Sequence, residues 1–137
     1  MYFVDTNILI YRFSKEDQRK ADIAKTLSQS QSMVISLQVI NETAFNLLRK
    51  LKFTEEKTQE IIKHFCRLKL QQIKRRTILK ACELRIKHQF QYWDSLLLAT
   101  ALDAQCDMFY SEDLHNGMVL EGMTIVNPFE SLNPREI

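Results

Sequence analysis

Short apolar runs separated by longer stretches of helical periodicity are the feature that most constrains what this chain can fold into. Tyr2-Phe3-Val4, Met33-Val34-Ile35, Met108-Phe109-Tyr110 and Met123-Thr124-Ile125-Val126 are β-prone and are closed by polar or turn-forming residues. Their length suits buried strands and is too short for helices. Leu70 to Ile73 reads as a further short strand. Between these runs lie helical segments. Gln18 to Gln31 carries Ala21, Ile23, Ala24 and Leu27, and the helix after Ser36 carries Leu37, Ile40, Ala44, Leu47, Leu48 and Leu51 on one stripe. Thr54 with Glu55 and Glu56 opens another helix, running to about Leu68, and Thr77 to Gln89 forms the next. Trp93 to Gln105 has little polar surface, so it is expected in the core, with Tyr92 and Trp93 packed there too, the alternative being that they stack on a base. Such alternation predicts an α/β domain with a mostly parallel sheet covered on both faces.

The 137 residues, 45% of them hydrophobic, are enough for one core, and a single domain over residues 1–137 is expected. Lys and Arg total 19 against 17 Asp and Glu, a net charge of +2 that permits a polyanionic partner without requiring one. Gly117 and Gly122 are the only glycines, which excludes a P-loop or a GxGxxG turn. Cys66, Cys82 and Cys106 lack CxxC spacing, so neither a disulfide framework nor a zinc site is indicated. No run resembles a signal peptide or approaches the ~20 apolar residues of a membrane span. A soluble protein of the reducing cytoplasm is the expectation.

In open parallel sheets, ligands bind beyond the carboxyl ends of the strands. Asp5 directly follows the first run, and Asp113 follows Met108-Phe109-Tyr110 by three residues. Asp94 falls in the first turn of the apolar helix, and Glu42 lies on the helix after Ser36. Carboxylates gathered at one edge suit Mg²⁺ or Mn²⁺, hard cations that take oxygen ligands. Each acid also has a plainer reading. Asp5-Thr6-Asn7 can be a turn and helix cap, Glu42 a solvated surface residue, Asp94 a complement to its own helix dipole, and Asp113 a loop acid.

The ordered motifs Phe3-Val4-Asp5-Thr6-Asn7, Asn41-Glu42-Thr43, Tyr92-Trp93-Asp94-Ser95-Leu96 and Tyr110-Ser111-Glu112-Asp113-Leu114 together resemble the PIN-domain family, and most closely its VapC-type toxins. The resemblance runs from Tyr2 to Val126-Asn127-Pro128-Phe129. It implies a three-layer α/β/α sandwich with a mostly parallel central sheet and endoribonuclease activity dependent on Mg²⁺ or Mn²⁺. It also implies a homodimer, and neutralisation by a small antitoxin protein, with tRNA among the plausible substrates. Carried over by position, Asp5, Glu42, Asp94 and Asp113 are the catalytic metal ligands. Thr6, Asn7, Ser111 and Glu112 stand behind them, and Glu112 competes with Asp113 for the fourth place.

Basic residues cluster at Arg49, Lys50 and Lys52 and again around Lys74, Arg75 and Arg76; both clusters could contact RNA phosphates, with Lys74 to Arg76 the leading group, and a solvated helix face is the plainer reading of each single residue. Two other functions compete. A haloacid-dehalogenase-like phosphohydrolase would use Asp5 as nucleophile, but it usually has a second Asp two residues later, where this chain has Asn7. A PIN-like module that binds RNA or protein without cutting would need no acids.

Overall fold

A computed structural model describes residues 1–131; residues 132–137, the end of the expected domain, lie outside the described residues. The elements are β1 (Tyr2–Val4), α1 (Thr6–Tyr11), α2 (Gln18–Gln29), β2 (Met33–Ser36), α3 (Leu37–Arg49), α4 (Glu55–Phe65) and β3 (Leu70–Gln71). They are followed by α5 (Arg75–His88), α6 (Tyr92–Asp103), β4 (Met108–Tyr110), β5 (Val119–Leu120), β6 (Met123–Val126) and α7 (Pro128–Ser131). The expected strands and long helices are therefore present. Ser36 and Thr54 cap α3 and α4 as anticipated, their hydroxyls accepting from the N–H of Val39 at 3.4 Å and of Lys57 at 3.1 Å.

Six strands form one sheet in the order β3-β2-β1-β4-β6-β5, parallel except for the β5–β6 pair. The chain moves outward from β1 through β2 to β3, then crosses back to β4 on the other side of β1. Because such crossovers are right-handed, this reversal puts α1–α4 on one face and α5–α6 on the other. The packing agrees: α1 lies against α2 and α3, α3 against α4, and α5 along α6. This is the expected three-layer α/β/α sandwich. Phe3 and Phe109, paired in register on β1 and β4, stack with centroids 5.4 Å apart in the core.

The sequence pattern does not announce β5. Its two residues return through Glu121 and Gly122, both at positive φ (48° and 88°), a turn that matches the twist of a tight hairpin. Glu at the first of these positions is an unusual choice, which hides the signal. The Ser111–Gly117 segment is a loop and not a short helix.

Two burial expectations are corrected. On α3 the buried face is Val39, Ile40, Thr43 and Leu47, while Leu37 is 64% exposed. Thr43 can join this face because its hydroxyl bonds the Val39 carbonyl at 2.7 Å. The helix is therefore rolled relative to its Leu37/Ala44/Leu48 stripe, which leaves Glu42 on the flank of the core, half-buried. Trp93 is 63% exposed and not in the core, because α6 is enclosed only from Ser95 onward.

Candidate metal centre at the strand ends

The sheet register places the first acid. Val4 pairs with Tyr110, so Asp5 emerges beside Ser111 at the carboxyl edge of two adjacent parallel strands. The Asp5 N–H donates to the Tyr110 carbonyl at 3.0 Å, and the Ser111 hydroxyl donates to Asp5 Oδ2 at 3.0 Å. Asp5 occupies the N-cap position of α1, yet its side chain makes no capping bond. The helix-cap reading of this residue is thereby set aside.

The other acids arrive on separate elements. Thr6, in the first turn of α1, donates to Glu42 Oε2 at 2.7 Å, and Gln38, one turn back on α3, donates to Glu42 Oε1 at 2.9 Å. Gln38 Nε2 also reaches the Trp93 carbonyl at 3.3 Å, tying α3 to the start of α6, where Asp94 sits. Asn7 Nδ2 donates to Asp113 Oδ2 at 2.6 Å, and the Asp113 N–H donates to Ser111 Oγ at 3.3 Å. The neighbouring Glu112 is already engaged: Oε1 receives Lys20 Nζ at 2.9 Å and the Tyr11 hydroxyl at 3.2 Å. Lys20 in turn lies over the rings of Tyr11 and Phe129.

Asp5, Glu42, Asp94, Glu112 and Asp113 all line one pocket of about 830 Å³. Asp5, Glu42, Asp94 and Asp113 form no ion pair among the described residues, and the Asp94 carboxylate makes no hydrogen bond there either. Burial, with the charges of Asp94 and Glu42, pushes the Asp5 carboxyl up to about 7, against the Ser111 hydroxyl and Thr6 N–H that favour its ionised form. Burial also raises Asp94, helped by the charges of Asp113 and Glu42. These carboxylates therefore feel one another.

Whether the site fits a divalent cation can be tested on its donors. Among the described residues no three His, Cys, Asp or Glu side chains are gathered closely enough to hold an ion by themselves. Mg²⁺ asks for less, taking one or two carboxylates directly and keeping several waters. Acceptors for such waters are present. Asn7 Oδ1, Glu112 Oε2 and Gln38 Oε1 are buried oxygens with no hydrogen-bond partner among the described residues; Asn7 and Glu112 line the pocket, and Gln38 grips Glu42. An all-oxygen donor set with mutual repulsion and orphaned acceptors fits a hydrated hard cation.

Lys74, Arg75 and Arg76 are not brought to this pocket. They begin α5, exposed, where Arg76 lies 3.9 Å from Asp103, the last residue of α6 and about 14 Å along that helix from Asp94. The sequence reading named Asn41 beside Glu42, and Lys50 among the basic residues that could meet RNA phosphates, but missed the pocket wall they form with Phe45 and Asn46. Their spacing around Glu42 on one helix is the signal that could have revealed it.

Comparison with known proteins bears on the fold and the family. A toxin-antitoxin complex from Klebsiella pneumoniae contains a chain with 21% identity and TM-score 0.70, over 95% of this chain and 99% of that one. VapC20 of Mycobacterium tuberculosis, a sarcin-ricin loop cleaving toxin, aligns at 19% identity and TM-score 0.65 over 82% of this chain and 90% of its own. VapBC2 from Rickettsia felis, bound to a DNA fragment from its promoter, aligns at 18% identity and TM-score 0.65 over 90% and 96%. At such identities the likeness is one of fold. No curated protein sequence matches significantly. The sequence profile of the PIN domain matches residues 2–115, from the first strand through the loop that carries Asp113. With most of the chain so matched, this protein belongs to the PIN domain family.

Proposed function

We propose that this chain is a divalent-metal-dependent endoribonuclease and the toxin of a toxin–antitoxin pair, acting in the cytoplasm as a homodimer that a small antitoxin protein neutralises. One observation carries the nuclease reading: four carboxylates without cationic partners, from the end of β1, from α3, from α6 and from the loop after β4, line a single pocket. Mg²⁺ or Mn²⁺ would supply polarisation of the phosphodiester and activation of water. Asp5 and Asp94 are the primary ligands in this reading. Thr6 and Gln38 fix both oxygens of Glu42, Ser111 orients Asp5, and Asn7 holds Asp113. The toxin reading is supported by similarity to toxin–antitoxin proteins, one of which cleaves the sarcin-ricin loop. No helix among the described residues is long and apolar enough to cross a membrane. Structured RNAs such as tRNA are the first substrates to try.

Purified protein is expected to cut RNA with Mg²⁺ or Mn²⁺, to stop when EDTA is added and to resume when metal is restored. Cleavage in EDTA would defeat the mechanism. RNA retention without cleavage in either metal would instead favour a binding module.

In this reading Asp113 is preferred to Glu112 as the fourth acid. Lys20 neutralises Glu112, whereas the Asp113 carboxylate accepts only from the neutral Asn7 amide among the described residues. Asp113 is the one whose charge is available to a cation. Asp113→Asn should raise the Mg²⁺ concentration for half-maximal cleavage by about tenfold or more. Glu112→Gln should shift it far less and lower the melting temperature through loss of the Lys20 pair. The reverse order would assign the role to Glu112.

A further inference from the structure

The acids occupy only part of the pocket, and its α3 wall has a different chemistry. Phe45 lines the pocket with 57% of its surface exposed. It stands three residues beyond Glu42, so the ring is the next neighbour along the helix surface, with Cβ atoms about 5–6 Å apart. The Arg49 guanidinium sits 5.6 Å from the ring centroid, one turn further on. The Asn41 side chain, beside Glu42, makes no hydrogen bond among the described residues, while Asn46 spends its amide N–H on the Glu42 carbonyl at 2.9 Å and its side-chain oxygen has no partner among them. Lys50 is the only basic residue lining the pocket.

We infer that Phe45 is a stacking platform for a base of single-stranded RNA next to the bond that is cut. Asn41 offers an amide to that base's edge, and Arg49 and Lys50 meet the phosphates that follow. The inference rests on the ribonuclease reading and adds a base-binding subsite to it. A π-face beside a guanidinium and an unengaged amide is the composition that grips unstacked bases. An acidic peptide is disfavoured by the six carboxylates that share this pocket, Glu16 among them, whereas a nucleic acid strand would arrive with divalent cations to match them. Stacking on Phe45 requires the base to be splayed out of a duplex, so the subsite selects loops or unpaired ends over paired RNA.

The test uses a short oligoribonucleotide carrying a bond that the unaltered protein cuts in bulk bacterial RNA. Phe45→Ala is expected to raise KM about tenfold while kcat changes little, and Phe45→Tyr and Phe45→Trp to retain the original KM. An abasic nucleotide beside the cut bond should raise KM to a similar degree in the unaltered protein and have no further effect in Phe45→Ala, the non-additivity expected of direct partners. Since the ring is exposed, a melting temperature near that of the parent is expected, and Phe45→Leu serves as a second variant if Ala proves unstable. Normal cleavage with KM unchanged in both Phe45→Ala and Phe45→Leu would overturn the subsite alone, and would leave Phe45 to a protein contact. Failure of the unaltered protein to cut or bind any RNA would overturn the ribonuclease reading and this inference with it.

Discussion

Asp94→Asn is expected to reduce RNA cleavage by about 10³-fold or more while the protein keeps its fold. In growing bacteria the same substitution should turn a growth-arresting chain into a harmless one. The size of the effect follows from the position of the carboxylate. Asp94 stands in the first turn of α6, whose next seven residues are buried, so its backbone is held by the most enclosed helix of the molecule. Its own carboxylate makes no hydrogen bond or ion pair among the described residues. Nothing internal is broken when it becomes an amide. What is removed is a negative charge disfavoured first by burial and then by Asp113 and Glu42, as the raised Asp94 carboxyl records. In the proposed reading, a charge kept against such opposition and without a protein partner serves the bound cation. Cleavage assays on purified protein, with melting curves alongside, separate the two effects. A variant that remains fully active would remove Asp94 from the mechanism, and harmless expression of active parent enzyme would count against the toxin role.

How far the site can be read from sequence depends on how local each part is. Asp5 is legible because an apolar run followed by Asp-Thr-Asn is a strand end wherever it occurs, and Asp94 because an apolar helix must begin near it. The Ser111–Asp5 bond is not, since it exists only through the Val4–Tyr110 register, a pairing of residues more than a hundred positions apart. The choice between Glu112 and Asp113 is illegible for the same reason: it turns on Lys20, brought over by the packing of α2 beside the β4 loop. On α3 the apolar stripe misleads about the roll of the helix, because Thr43 satisfies its hydroxyl internally and is buried like an aliphatic residue. That roll turns Glu42 and Phe45 into the pocket. The basic cluster Lys74–Arg76 misleads in the opposite way. Its charge is obvious in the sequence, but the cluster does not line the acidic pocket, and Arg76 lies 3.9 Å from Asp103, at the end of α6 away from Asp94.

Asp5→Asn should make the metal-free protein more stable at pH 8, by about 5 °C or more in melting temperature, while abolishing activity. The Asp5 carboxyl is raised from an ordinary 3.8 to about 7 by burial and by the charges of Asp94 and Glu42. With the folded value above the unfolded one, the native state holds a proton that the unfolded chain gives up. Stability is therefore greatest at low pH, declines as pH rises from about 4, and reaches its full penalty above 7. A rise of about three pH units corresponds to a penalty on the order of 4 kcal/mol at most. The amide is the same shape, still offers an oxygen to the Ser111 hydroxyl, and presents N–H groups toward the carboxylates of the pocket. Recovering even half of the penalty gives the stated shift for a domain of this size. Two further readings follow. In EDTA the gap between variant and parent should close as pH falls toward 5, where the parent's Asp5 is protonated. Adding Mg²⁺ at pH 8 should raise the parent's melting temperature and leave the variant nearly unmoved, because only the parent regains a partner for its buried charge. A destabilised variant at pH 8, or a gap that does not change with pH, would mean that Asp5 is held by contacts within the fold. The expected pattern instead makes Asp5 a residue whose ionised form the fold tolerates at a cost, and which a bound cation relieves.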